Sequence, residues 1–119
     1  MDSPIYTDVM VDIETTGTMP DRGAILQLSA VKFNLQTREV DPNFFDRCLT
    51  IPPHRGWDEG TRTWWNQQKP SVLKGILQRA EPYRDVVQDF AKWAYQKPGL
   101  RFWAKPTTFD FMFTAAYRD

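Results

Sequence analysis

Asp12 and Glu14 stand two residues apart in "VMVDIETTG" (Val9–Gly17), a short apolar run that breaks at once into Thr-Thr-Gly. Along a strand, side chains alternate faces, so the two acids share one face while Val11 and Ile13 turn the other way into a core. Carboxylates are depleted in strands and costly to bury unpaired; held side by side they repel, and one pKa rises. A hard divalent cation relieves that repulsion, and Mg²⁺ or Mn²⁺ prefers carboxylate and water oxygens. Thr15, Thr16 and Gly17 add backbone N–H groups and a tight turn suited to a sugar or a phosphate. A bare Asp-x-Glu reads more simply as two solvated acids at a strand end. The order of strand, acid pair and glycine loop is what favours chemistry.

The elements that must hold this pair are legible in outline. "TDVMVDIE" (7–14) reads as a strand, "TTGTMPDRG" (15–23) as a loop, and "AILQLSAVKFNL" (24–35) as a long second strand. "QTREVDPN" is a turn, and "FFDRCLTI" (44–51) is a third strand closed by Pro52-Pro53. Turns this short cannot hold crossover helices, so the opening is a three-stranded antiparallel meander. Beyond Asp58 the periodicity turns helical. "DEGTRTWWNQQ" has Thr61 or Thr63 as candidate caps, and "KPSVLKGILQRA" starts near Pro70 or Ser71. The clearest helix is "YRDVVQDFAKWAYQK", with Val86, Val87, Phe90, Trp93 and Ala94 on one stripe. "LRFWAK" reads as a fourth strand and "TFDFMFTAAYRD" (108–119) as a final helix. The sum is an α/β domain with a mixed sheet.

The 119 residues suit a single domain spanning 1–119, and 41% hydrophobic with 14% aromatic residues excludes a disordered composition. Fifteen basic and fifteen acidic residues give zero net charge. Residues 1–59 nevertheless hold ten acidic against five basic residues, and residues 60–119 five against ten. That division suits a site that holds metal and grips phosphate, although a mixed surface gives the same count. Cys48 is the only cysteine, which points to a reducing compartment; it reads as a small buried hydrophobe. No apolar run approaches the length of a membrane span and no signal-like segment opens the chain, so the expected location is cytoplasmic.

"DIETTG" resembles the first motif of the DEDD (DnaQ-like) superfamily of 3′→5′ exonucleases. "GAILQLSAVKFNLQTREV" resembles its second and third strands, "TRTWWNQQ" a Thr-x-Trp-Trp helix, and "FWAKPTTFDFMF" a second motif with a Phe-Asp step. Together they are most similar to phage exonuclease-VIII-like proteins and the related mycobacterial exoribonuclease domain. The resemblance implies a ribonuclease-H-like mixed sheet flanked by helices. It also implies removal of nucleotides from the 3′ ends of single-stranded or overhanging DNA or RNA. Asp12 and Glu14 match the first two family carboxylates and Asp110 the third. Two Mg²⁺ or Mn²⁺ ions would bridge them to the scissile phosphate, Asp12 touching both. Thr15, Thr16 and Gly17 match positions that receive the terminal nucleotide. Trp103, Phe109 and Phe111 would stack a base or pack in the core, Lys105 would contact phosphate, and Trp64 and Trp65 would divide between core and groove.

The family's third motif, a fourth Asp preceded by a His or Tyr base, has no match. His54 lies in the loop "IPPHRGW" and reads as a surface residue. The expectation is a C-terminally truncated fold: a fragment, a product completed by a partner chain or second copy, or a degenerate domain. Activity would then be weak or nil. Two other readings stand beside the exonuclease. One is a degenerate module on the same fold that only binds nucleic acid or protein. The other is a ribonuclease-H-like endonuclease, against which the placement of both acids on one strand counts. Phage origin, and with it a host cytoplasm, is implied by the resemblance alone.

Overall fold

The computed structural model describes residues 5–104. Five strands and three helices run in the order β1 (Asp8–Thr15), β2 (Ile25–Phe33), β3 (Phe45–Leu49), α1 (Glu59–Asn66), α2 (Pro70–Gln78), β4 (Ala80–Glu81), α3 (Tyr83–Ala94) and β5 (Arg101–Ala104). The sheet order is β4-β3-β2-β1-β5. β1, β2 and β3 form the expected antiparallel meander, while β4 joins β3 and β5 joins β1 in parallel.

β1 is an interior strand, flanked by β2 and β5, and its inward residues are apolar and β-branched. Val9, Val11 and Ile13 are buried with Leu28, Ala30, Phe45 and Leu49 against Val86 and Phe90 of α3. Phe45 meets Phe90 edge-on at 5.3 Å between ring centroids, the geometry their quadrupoles favour. A second cluster joins Trp65 of α1 and Ile76 of α2 to Leu26 and to Cys48, which is buried as a free thiol. The opposite face of β1 carries Met10, Asp12 and Glu14, and it is the face that concerns function.

Element boundaries differ from the sequence expectation by a few residues, and the causes at β2 and α1 are visible. β2 stops at Phe33 because the Asn34 side chain accepts the Gln36 and Thr37 backbone N–H groups, an Asx turn that ends pairing; Arg38 then takes a left-handed conformation. α1 is capped by Asp58, not by Thr61 or Thr63. β4 spans two residues, too few to show any periodicity. The expected helix at 108–119 lies outside the described residues. Among those described, no helix is long and apolar enough to cross a membrane.

Candidate active site

Asp12 sits opposite Ser29, and Glu14 opposite Gln27, across the β1–β2 ladder. Two residues of strand separate the acids by about 7 Å along β1. Asp12 is exposed and Glu14 partly buried. Burial pushes the Glu14 carboxyl above its ordinary range, and the negative charge of Asp12 adds to the effect. The pair is therefore poorly compensated by the protein itself, the condition under which a cation between the oxygens is most favoured.

The register slips directly after Glu14, so that Thr15 pairs with Ile25. Such a slip bends the strand and re-aims the residues just beyond it. The loop it starts is fixed by several independent bonds. The Thr15 hydroxyl donates to the Gly17 carbonyl at 2.8 Å, and the indole N–H of Trp65 donates to the Thr15 carbonyl at 2.9 Å. Thr16 is 0% exposed. Its hydroxyl donates to the Gly56 carbonyl at 2.7 Å and accepts the Ala24 N–H at 2.8 Å. Its backbone N–H donates to the Ala24 carbonyl and its own carbonyl accepts from the Asp58 N–H. Expected from the resemblance to receive a nucleotide, Thr16 instead has every polar group engaged inside the protein; it shapes the turn. Thr15, by contrast, borders open space.

Gly17 stands at a close approach. A Cβ there would stand 2.7 Å from Asp58 Oδ2. The Asp58 carboxylate accepts the Thr18 N–H at 2.9 Å through Oδ2 and caps α1 by accepting the Thr61 N–H at 2.7 Å through Oδ1. Those bonds hold its carboxyl below the usual carboxylate range. Arg55 closes the far side of the loop by donating to the Pro20 and Gly23 carbonyls. Between these parts lies an open depression of about 620 Å³ lined by Thr15, Thr18, Asp58, Gly60, Thr61 and Trp64. The tryptophans divide as expected: Trp65 is 5% exposed and Trp64 48%, with their rings edge-on at 5.0 Å.

Asp12, Glu14, Thr15 and Gly17 thus gather at one end of β1. Trp103 does not join them. It lies on β5 opposite Met10, and its indole N–H donates to Asp8 Oδ1 at 2.8 Å, back toward the start of β1. With the Thr7 hydroxyl, that bond holds the buried Asp8 carboxyl below its ordinary range. Lys105, Phe109, Asp110 and Phe111 lie outside the described residues, among which no cluster of three His, Cys, Asp or Glu side chains could hold a metal. His54 is exposed in its loop, as expected. Asp58 stands four residues beyond it, the separation between base and fourth Asp that the family resemblance implies, but both oxygens of that acid are engaged by backbone N–H groups. Asp58 and Trp65 are the positioning residues that sequence reasoning missed, and the acid directly before the α1 pattern was the signal available for the first.

The fold is that of DEDD-superfamily 3′–5′ exonucleases. The nuclease domain of 3′hExo bound to rAMP superposes with a TM-score of 0.56 at 15% identity, covering 95% of this chain and 60% of that one. The exonuclease in the ExoI/SSB-Ct complex gives 0.63 at 14% identity, covering 91% and 23%. Cell-death related nuclease 4 (CRN-4) gives 0.54 at 14% identity, covering 83% and 35%. The chain therefore spans between about a quarter and three-fifths of these structures. No curated protein matches it. Residues 7–119 match the Rv2179c-like 3′-5′ exoribonuclease domain, and the chain belongs to that family.

Proposed function

We propose that this domain removes nucleotides from the 3′ ends of RNA or DNA by metal-dependent phosphodiester hydrolysis. The observation that carries the reading is the Asp12–Glu14 pair on the open face of β1, beside a depression walled by Thr15 and Trp64. Family membership names the reaction class, and the likeness to a nuclease domain bound to rAMP supports a pocket of mononucleotide size.

The donor chemistry fits a divalent cation, because Asp12 and Glu14 offer two carboxylates on one face of β1, and burial, with the Asp12 charge adding to it, raises the Glu14 carboxyl. Asp12 and Glu14 would hold Mg²⁺ or Mn²⁺, with Asp110 as the third carboxylate. When bound, the ion supplies Lewis-acid charge to the scissile phosphate and lowers the pKa of the attacking water. The chain's own residues do the rest. The Thr15 hydroxyl donates its hydrogen bond to the Gly17 carbonyl, and its oxygen lone pairs are left to accept from a sugar hydroxyl. Trp64 offers a ring face on which a base can stack, a contact indifferent to sequence. Trp65 and Thr16 fix the loop that carries Thr15. Lys105 and Phe109 are assigned to phosphate and base, and Trp103 to the outer wall of the face.

A second reading, a module that binds without cleaving, draws on the family's third motif, whose Asp and His or Tyr base have no match in the sequence. One experiment separates the two: Mn²⁺-dependent shortening of a 5′-labelled oligonucleotide, in RNA and DNA, with Asp12→Asn as control. Stepwise loss from the 3′ end, abolished in the control, is the expected result. Binding without shortening would establish the module instead.

A further inference from the structure

We infer that Asp58 is a positioning residue for the nucleotide pocket, tying the Thr15–Thr18 loop to the first turn of α1 and so to Trp64. The inference rests on the exonuclease reading and deepens it. A helix needs only one side-chain acceptor at its N-cap, and Oδ1 meets that need through Thr61. Oδ2 is turned the other way, 40 residues back along the sequence, to the Thr18 N–H at 2.9 Å. The backbone repeats the link, since the Asp58 N–H donates to the Thr16 carbonyl at 3.1 Å. Gly17 lets the two segments close to this distance, because a Cβ there would displace the carboxylate. Gly17 has a negative φ, so what it supplies is space and not unusual backbone freedom.

The consequence is geometric. Thr15 and Trp64 line the same depression from different elements, and Asp58 is the side chain bonded to both elements at that depression. Trp65 ties the same two elements from behind, through the Thr15 carbonyl. With the Oδ2 bond gone, Thr18 and Gly17 are free to move from α1, and the width of the pocket is no longer set on that side.

Asp58→Ser separates this role from simple helix capping. Serine is an equally good N-cap, but its short side chain cannot serve Thr61 and Thr18 at once. Gly17→Ala attacks the same contact from the loop side with Asp58 intact. Thr50→Ala is the control: it removes the acceptor for the Tyr83 N–H at the start of α3, a comparable bond away from the site. Melting temperature, amide hydrogen exchange at Thr18 and steady-state kinetics on a 3′ end are measured for each.

Asp58→Ser should melt no lower than Thr50→Ala, yet speed Thr18 exchange by about tenfold, as expected for a locally opened loop. It should raise KM by about tenfold with kcat within twofold, the signature of lost substrate binding, and Gly17→Ala should share that split. Thr50→Ala should keep both constants at wild-type values. Wild-type kinetics and exchange in Asp58→Ser would overturn the inference, as would losses that merely track the folded fraction. If the wild-type chain shortens nothing, the exonuclease reading falls, and the Thr18 exchange still decides whether Asp58 holds the loop.

Discussion

At Glu14 the stability of the fold and the proposed function pull in opposite directions. Burial and the neighbouring charge of Asp12 raise its carboxyl above the value it has in the unfolded chain. A raised folded-state pKa means the native protein binds the proton more tightly than the unfolded one. Stability is then greatest below the unfolded pKa and falls as pH rises through the folded one. At neutral pH the ionised side chain works against folding unless a cation sits beside it. Glu14→Gln should therefore raise the melting temperature in EDTA by a few degrees, and the gain should vanish at acid pH. Mn²⁺ should raise the melting temperature of the wild type and leave that of Glu14→Gln nearly unchanged, because binding to the folded state alone stabilises it. A wild-type protein unmoved by Mn²⁺ would remove the cation from the Asp12–Glu14 pair. Two residues upstream of Asp12, Met10 opens the same face, and Asp8 beyond it shows the contrasting case. Hydrogen bonds from Thr7 and Trp103 hold Asp8 ionised within the fold and need no metal.

At the scale of elements, Arg47 on β3 gathers the edge of the sheet. Its guanidinium donates to both oxygens of Glu81 on β4, at 2.8 and 3.0 Å, and to Asp89 on α3 at 2.9 Å. It also lies over the Phe45 ring at 5.5 Å. A planar fork satisfying one carboxylate bidentately and a second singly is the surface arrangement that retains measurable energy. Arg47→Met should lower unfolding stability by about 1 kcal/mol, and the deficit should shrink in 0.5 M salt as screening weakens the wild-type pairs. A salt-independent deficit would assign the effect to lost packing of the side-chain stem instead. β4 also explains where the sequence stops being legible. Strands β1 to β3 and helix α3 declare themselves by periodicity, since each buries its own apolar stripe. β4 exists only because Cys48 and Leu49 offer it a ladder, and nothing within Ala80–Glu81 carries that information. The same holds for Asp58: that an acid caps a helix can be read locally, but its second bond, to Thr18, cannot. The acid pair itself was legible because its two residues are neighbours on one strand.

For the whole molecule, zero net charge conceals an uneven distribution, and that distribution decides how a polyanion can approach. The carboxylate pair repels phosphate, so binding strength has to come from cations elsewhere and from stacking. Arg62 on α1, Lys69 at the α1–α2 junction, Lys74 on α2 and Arg79 after it are all exposed. Lys74 lines a groove of about 550 Å³ with Trp65, Leu73 and Leu77, and α1 carries Trp64 on the depression proposed to take the nucleotide. A strand whose last base meets Trp64 can thus run across α1 and α2 and touch few phosphates. Counterion release makes the cost in salt proportional to those contacts. For roughly two to four phosphates on a single strand, the logarithm of affinity against the logarithm of salt should fall with a slope of about −1.4 to −2.8. Lys69→Gln combined with Lys74→Gln should flatten that slope by about 1.4 while leaving the melting temperature and the response to Mn²⁺ in place, since neither lysine touches the acid pair. Fluorescence anisotropy of a short 3′-ended oligonucleotide in EDTA, titrated at several salt concentrations, reads both quantities without relying on cleavage. A slope unchanged in the double variant would move the nucleic acid off the α1–α2 surface and onto the open sheet face beside Asp12. There Met10, Val31, Val40 and Phe44 offer apolar contact, and the retained slope would belong to cations other than Lys69 and Lys74.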